Sequence, residues 1–112
     1  MCGVFGFIGR AALDDMGRCM ADTMIHRGPN SRGVWSNQTS DNQCVIFAHR
    51  RLSILDLSDA GSQPMTDTSG RFVLTFNGEI YNYREIGADL RRTGVQFRSS
   101  SDTEVLLEAY KA

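Results

Sequence analysis

The apolar residues of this chain come in short runs: CGVFGFI at residues 2–8, CVIFA at 44–48 and RFVLTF at 71–76. Runs of this length suit buried β-strands and fall far short of the ~20 apolar residues that span a bilayer. Helical spacing falls between them. Leu13, Met16, Met20 and Met24 recur at three- and four-residue intervals, which predicts a helix over 11–25 with these residues as its core face. Pro29 ends that helix, because the residue before a proline is driven out of helical geometry. A polar connection follows to Gln43, and residues 52–57 (LSILDL) are apolar but interrupted. Asn82, with Glu85 three residues on, predicts a second helix start, with Ile86 and Leu90 buried and Gly94 as its stop. Residues 95–98 read as a short fourth strand. Residues 101–104 (SDTE) read as another capping box, continued by Val105, Leu106 and Ala109. The result is a mixed pattern of strands and helices, in which helices must cover the sheet faces.

At 112 residues the chain has the size of one domain, spanning 1–112. Its 41% hydrophobic and 22% charged residues argue against disorder. With 12 basic and 13 acidic residues it has no cationic excess to attract nucleic acid or an anionic membrane, and neither is expected as a partner. The first nine residues carry no basic segment leading into a long apolar one, so a cytoplasmic protein is expected. Three cysteines, Cys2, Cys19 and Cys44, are an odd number for a disulfide framework. A zinc site can be drawn from Cys2, Cys19 and His26, but its spacing fits no ligand pattern, and no metal is expected. Cys19 and Cys44 read as buried small hydrophobes. Cys2 differs by position: loss of Met1 would leave a thiol and an α-amine on one residue.

Four clusters gather chemistry: residues 2–6 (CGVFG), 49–54 (HRRLSI), 77–82 (NGEIYN) and 101–104 (SDTE). Each has an ordinary reading by itself. Cys2 starts a strand, Arg51 ends one, Asn77–Gly78 is a common turn dipeptide, and the last cluster caps a helix. Their weight comes from standing together in one short chain behind Cys2.

Taken together, MCGVFGFIG, HRGPN, HRRLSILDL, QPM, FNGEIYN and SDTEVLLEAY resemble the N-terminal glutaminase domain of class II glutamine amidotransferases, the N-terminal-nucleophile hydrolases. Within these, the resemblance is to the glutamine-hydrolysing asparagine synthetases and their relatives. It covers residues 1–110, with one departure: Asn30 stands where the family usually has aspartate. The resemblance implies an α+β fold, the four-layer αββα sandwich of Ntn hydrolases with antiparallel sheets. On that reading the chain is C-terminally truncated, carrying the N-terminal portion of the domain.

It also implies hydrolysis of L-glutamine to glutamate and ammonia. Cys2 is the implied nucleophile. A free thiol has a pKa of about 8.5, and the residue's own α-amine, at about 7.7–8.0, would serve as its base. No histidine is then required, and His26 and His49 read as structural. The Asn77 side chain and the Gly78 N–H are implied as oxyanion donors. Arg51 is implied to take the substrate α-carboxylate, with Arg50 as its rival. Asp102, helped by Glu79, would take the α-ammonium, and Leu52 and Ile54 would line the pocket. The hydrolysis needs no cofactor. ATP and magnesium belong to a synthetase domain that would receive the ammonia, and a homodimer is a further expectation. The alternatives are a catalytically inactive fragment or interaction module of the same fold, and a redox or metal-binding cysteine protein.

Overall fold

The computed structural model describes residues 1–10, 15–53 and 58–112. Strand β1 (Gly3–Gly9) leads to helix α1 (Met16–Thr23), then to strands β2 (Ser31–Gln38) and β3 (Cys44–Arg51). A short 3-10 turn, Asp59–Gly61, precedes a ribbon of β4 (Met65–Thr66) and β5 (Val73–Leu74). Helices α2 (Tyr83–Arg92) and α3 (Asp102–Lys111) follow. The three longer strands form one sheet in the order β1-β3-β2, and every pairing in both sheets is antiparallel. The architecture is therefore α+β.

The central strand β3 pairs Gly3 with Arg50 on one edge and Gly33 with His49 on the other. Helix α1 lies on one face, with its buried Gly17 and Ala21 toward the sheet and the side chains of Val34 and Ile46 reaching Gly17. Val4 and Ile8 stay exposed. Helix α3 packs against α2 and β5, and Tyr110 meets the Phe72 ring edge-on.

Several expectations from sequence are corrected. The polar connection before Gln43 contains β2, a full strand that Trp35 anchors by stacking on Phe47. Its hairpin to β3 turns at Asn42, whose φ of 61° is the left-handed geometry asparagine tolerates. The methionine face of the first helix is only partly core: Met20 is exposed, Met16 and Met24 are half-buried, and the fully buried positions are the small Gly17 and Ala21, which let the helix sit close to the sheet. Leu13, in the predicted first turn, lies outside the described residues. Cys19 is exposed and Cys44 only half-buried. Only Val73–Leu74 of the third run is paired, and residues 95–98 form no strand. Instead Arg91 stacks over the Phe97 ring. Gly94, with φ of 99°, turns the chain just past α2, as expected.

Two tight features hold the ribbon. An atom added at the Cβ position of Gly33 would lie 1.8 Å from the Gln63 carbonyl oxygen, so only glycine lets that segment approach β2. The buried Asp67 carboxylate accepts from Phe72 N at 2.9 Å, from the Ser69 hydroxyl at 2.6 Å and ion-pairs with Lys111 at 3.3 Å. The Ser69 hydroxyl, the Phe72 N–H and Lys111 hold this carboxyl well below the usual carboxylate range. Burial lowers His49 from its ordinary value of 6.5, with Arg51 adding to the effect.

Gly33→Ala should destabilise the fold by roughly 1–3 kcal/mol, read from urea unfolding, because backbone must move to admit the methyl. The two shifted groups set a pH dependence of the same sign. In both, the unfolded chain takes up its proton at higher pH than the native state, so acid favours unfolding. Stability should decline as pH falls below 6.5 through His49, and again below 3.8 through Asp67. Denaturation across pH should show His49→Gln losing the first limb and Asp67→Asn flattening the second.

Candidate active site

A cleft of about 380 Å³ opens where the start of β1 and the end of β3 meet the loop after β5 and the first turn of α3. Cys2, Arg51, Leu52, Asn77, Gly78, Glu79 and Asp102 all line it, and so does Met1. Residues that stand as far as a hundred positions apart in sequence thus share one wall. Of the residues predicted for the site, Ile54 lies outside the described ones.

Cys2 owes its place to β1, which it immediately precedes. Its sulfur accepts a hydrogen bond from Leu52 N at 3.2 Å, and its thiol also lies 3.6 Å from Leu52 O. The backbone beyond β3 thus fixes the sulfur. Asn30 supports this backbone in turn: its N–H donates to Arg51 O at 3.0 Å and its Oδ1 accepts from Ser53 N at 3.1 Å.

The two adjacent arginines separate cleanly, since neighbouring residues of a strand point to opposite faces. Arg51 faces the cleft, 8% exposed, with Nη1 donating to Ser58 O at 2.7 Å. Arg50 points away, donating from Nε to Gly28 O at 2.9 Å and approaching Asp22 at 3.9 Å. Arg51, not Arg50, is the guanidinium at the cleft.

The loop of Asn77, Gly78 and Glu79 leaves β5 and runs into α2. Asn77 is half-buried; Gly78 and Glu79 are exposed. A Cβ on Gly78 would meet the Phe76 ring at 2.7 Å, so a side chain there would have to displace the ring. Asp102, 6% exposed at the first position of α3, accepts from Ile80 N at 2.9 Å and ties the far end of this loop to the helix.

The start of α3 is fixed by Ser101, whose hydroxyl accepts from Glu104 N at 3.2 Å. The other half of the expected capping box does not form. Glu104, 1% exposed, turns its carboxylate to Arg98 N at 2.8 Å, Ser99 N at 2.7 Å and the Ser99 hydroxyl at 2.5 Å. It organises the approach to Asp102 instead of closing the cap.

Two contributors to this geometry escaped sequence reasoning: Glu104 in this role and Gln63 on the cleft wall; His49, read as structural, is buried. The QPM motif was a signal for Gln63, but nothing in it indicated which groups the amide would engage. His26 is exposed. Among the described residues no three His, Cys, Asp or Glu side chains come together as a metal site, so Cys2, Cys19 and His26 are not gathered. No helix among them is long and apolar enough to cross a membrane.

Comparison with known proteins extends these observations. A family model described as a glutamine amidotransferase domain matches residues 1–112. Asparagine synthetase [glutamine-hydrolyzing] 3 of Bacillus subtilis is 35% identical over 98% of this chain. Asparagine synthetase B [glutamine-hydrolyzing] of Escherichia coli K12 is 37% identical over 99% of it. Amidase chry2 of Gibberella zeae is 42% identical over 80%. The chain spans 18%, 20% and 13% of the lengths of these three relatives, respectively. On the whole-length family match and the identity to the synthetases, the chain belongs to the glutamine amidotransferase domain family, alongside the N-terminal glutaminase domains of glutamine-hydrolysing asparagine synthetases.

Proposed function

We propose that the cleft hydrolyses L-glutamine to glutamate and ammonia with Cys2 as an N-terminal nucleophile. The observation that carries this reading is the convergence of Cys2, Arg51, Asn77, Gly78 and Asp102 on one cleft. Glutamine is a zwitterion with a reactive amide at its far end. Its recognition calls for one fixed cation and one fixed anion, with a nucleophile and oxyanion donors about a side chain's length away.

In this mechanism loss of Met1 exposes the Cys2 α-amine, which takes the thiol proton directly or through one water. The sulfur attacks the amide carbon. The Asn77 side chain and the Gly78 N–H stabilise the resulting oxyanion, and removing one such donor typically costs ~2.7–4 kcal/mol of barrier. Ammonia leaves with the proton, and water then cleaves the thioester to release glutamate. Arg51, already pinned at one nitrogen by Ser58 O, presents its remaining N–H groups to the α-carboxylate. Asp102, with Glu79 nearby, takes the α-ammonium, while Leu52 lines the pocket, a role the sequence resemblance also implies for Ile54.

The same reading extends the fold to the four-layer sandwich, and the exposed Val4 and Ile8 support a further layer on the sheet. It also has the ammonia delivered to a synthetase domain, where ATP and magnesium would activate an acceptor. The hydrolysis itself draws on the thiol, the amine and fixed hydrogen-bond donors, with no cofactor.

Met1 is the control point. If it is retained, the free amine moves about 3.8 Å along the chain and Cys2 carries an ordinary amide nitrogen. Intact mass combined with a glutaminase assay should show activity only in molecules that have lost Met1; full activity with Met1 attached would sink the mechanism. In the processed chain, Cys2→Ala should abolish ammonia release, while Cys19→Ala and Cys44→Ala should leave it nearly intact. Equal loss from all three would favour a redox or metal role. Arg51→Lys keeps the charge but loses the planar fork, and should raise KM for glutamine on the order of tenfold or more with a smaller effect on kcat.

A further inference from the structure

Phe76, the residue before Asn77, is held by side chains rather than by strand pairing. It lies past the last paired residue of β5, Leu74. Its N–H donates to Gln63 Oε1 at 2.5 Å. Its carbonyl oxygen lies 3.2 Å from His49 Nε2. Both partners are themselves constrained. Gln63 donates from its amide nitrogen to the Thr103 hydroxyl at 3.1 Å, in the first turn of α3 beside Asp102. Its backbone is pressed against Gly33, the β2 residue paired with His49. His49 is 1% exposed on β3, two positions before Arg51.

The His49 ring has one bond to give. Among the described residues its Nδ1 is buried without a hydrogen-bond partner, and burial favours the neutral ring. A neutral imidazole carries one N–H, and a carbonyl can only accept, so that hydrogen sits on Nε2 and points at Phe76 O. The fold leaves one buried nitrogen unsatisfied and spends the other on this carbonyl.

The geometry has a specific consequence. Peptide units are rigid planes joined at each Cα by two soft torsions. Gln63 fixes the plane entering Phe76, and His49 fixes the plane linking Phe76 to Asn77. Together they set both torsions of Phe76, and so the direction in which the chain enters Asn77 and Gly78. The Phe76 ring, lodged beneath Gly78, adds a third restraint.

We propose that His49 and Gln63 are positioning residues that clamp Phe76 and thereby aim the Asn77 side chain and the Gly78 N–H at the developing oxyanion. The assignment rests on the glutaminase reading and goes beyond it, because neither side chain acts on the substrate. Aim matters most when charge develops, so loosening the clamp should cost kcat and spare KM.

The test uses the full chain after Met1 removal, with glutaminase kinetics and amide hydrogen exchange read by NMR. His49→Leu and Gln63→Met remove one restraint each. His49→Gln restores an N–H donor near the Nε2 position. The two loss variants should lower kcat on the order of ten- to a hundredfold, the scale of an ångström-level misplacement, with KM within about twofold. His49→Gln should recover most of the loss, and Gln63→Met should speed exchange of the Phe76 amide by about tenfold or more while α1 amides are unchanged. Wild-type kcat in both loss variants, a rise in KM alone, or a His49→Gln variant as slow as His49→Leu would overturn the clamp. Should His49→Leu fail to fold, Gln63→Met and His49→Gln still decide the outcome. A processed wild type that releases no glutamate would defeat the glutaminase reading instead. The exchange measurement then judges the clamp alone, and an unchanged Phe76 amide in Gln63→Met would overturn it.

Discussion

Three consecutive basic side chains at the end of β3 are buried, and each reaches the backbone carbonyl of a different segment. His49 meets Phe76 O, Arg50 meets Gly28 O and Arg51 meets Ser58 O. Burying such groups is costly unless they are hydrogen-bonded, so the three segments are drawn to β3. β3 can bear this load because it is paired on both edges, from Cys44 to Arg51. Strand alternation then sorts the partners. His49 and Arg51 organise the cleft face, while Arg50 secures the turn after α1 on the other.

Carboxylates play the complementary role around α3. Asp67 accepts from Phe72 N, Asp102 from Ile80 N, and Glu104 from Arg98 N and Ser99 N. Cationic and imidazole side chains on the sheet thus take up loop carbonyls, and carboxylates in or beside the helix take up loop amides. Between them, loops with little regular structure of their own acquire fixed positions. On the proposed glutaminase reading this fixing bears on catalysis, because donors fixed beforehand need no reorganisation when charge forms. Asp102 illustrates the economy: the oxygen bonded to Ile80 N holds the loop of Asn77 in place, and the same carboxylate lines the cleft.

What could be read from the sequence follows from how local each determinant is. The apolar runs located β1 and most of β3, because short apolar runs mark strands even where, as in β1, one face stays partly exposed. The end of α2 and the start of α3 were legible because Gly94 and Ser101 act within one turn of themselves; α2 also starts after Asn82 as expected, but the Asn82 side chain makes no capping hydrogen bond. β2 was missed since Arg32, Ser36 and Asn37 look like loop residues, and only Trp35 packing on Phe47 and pairing to β3 make a strand of them. The methionine stripe misled because sequence spacing shows which residues share a face but not how close the face must come. Gly17 and Ala21 permit an approach that larger residues would block. The extension of β3 through Arg51 was illegible for a related reason: the carbonyls that make three buried basic residues tolerable lie up to 27 positions away. For the site, the identity of the clustered residues was legible and the role of Glu104 was not. A serine and a glutamate three apart predict a cap, but the glutamate's choice between its own helix and the preceding loop depends on where that loop is.

Asn30 shows how such a framework tolerates a change of residue. The resemblance drawn from the sequence leads to an aspartate being expected after the HRGP segment, and here a neutral amide stands there. The group is used as an acceptor: its Oδ1 receives Ser53 N. An amide oxygen and a carboxylate oxygen sit at nearly the same position on these two side chains, so the bond survives the exchange. What is given up is charge, since a hydrogen bond to an ionised acceptor is roughly twice as strong as a neutral one. Ser53 follows Leu52, and Leu52 N–H is the donor aimed at the Cys2 sulfur. Residue 30 is thus linked to the Cys2 sulfur at one remove, through a two-residue stretch of backbone.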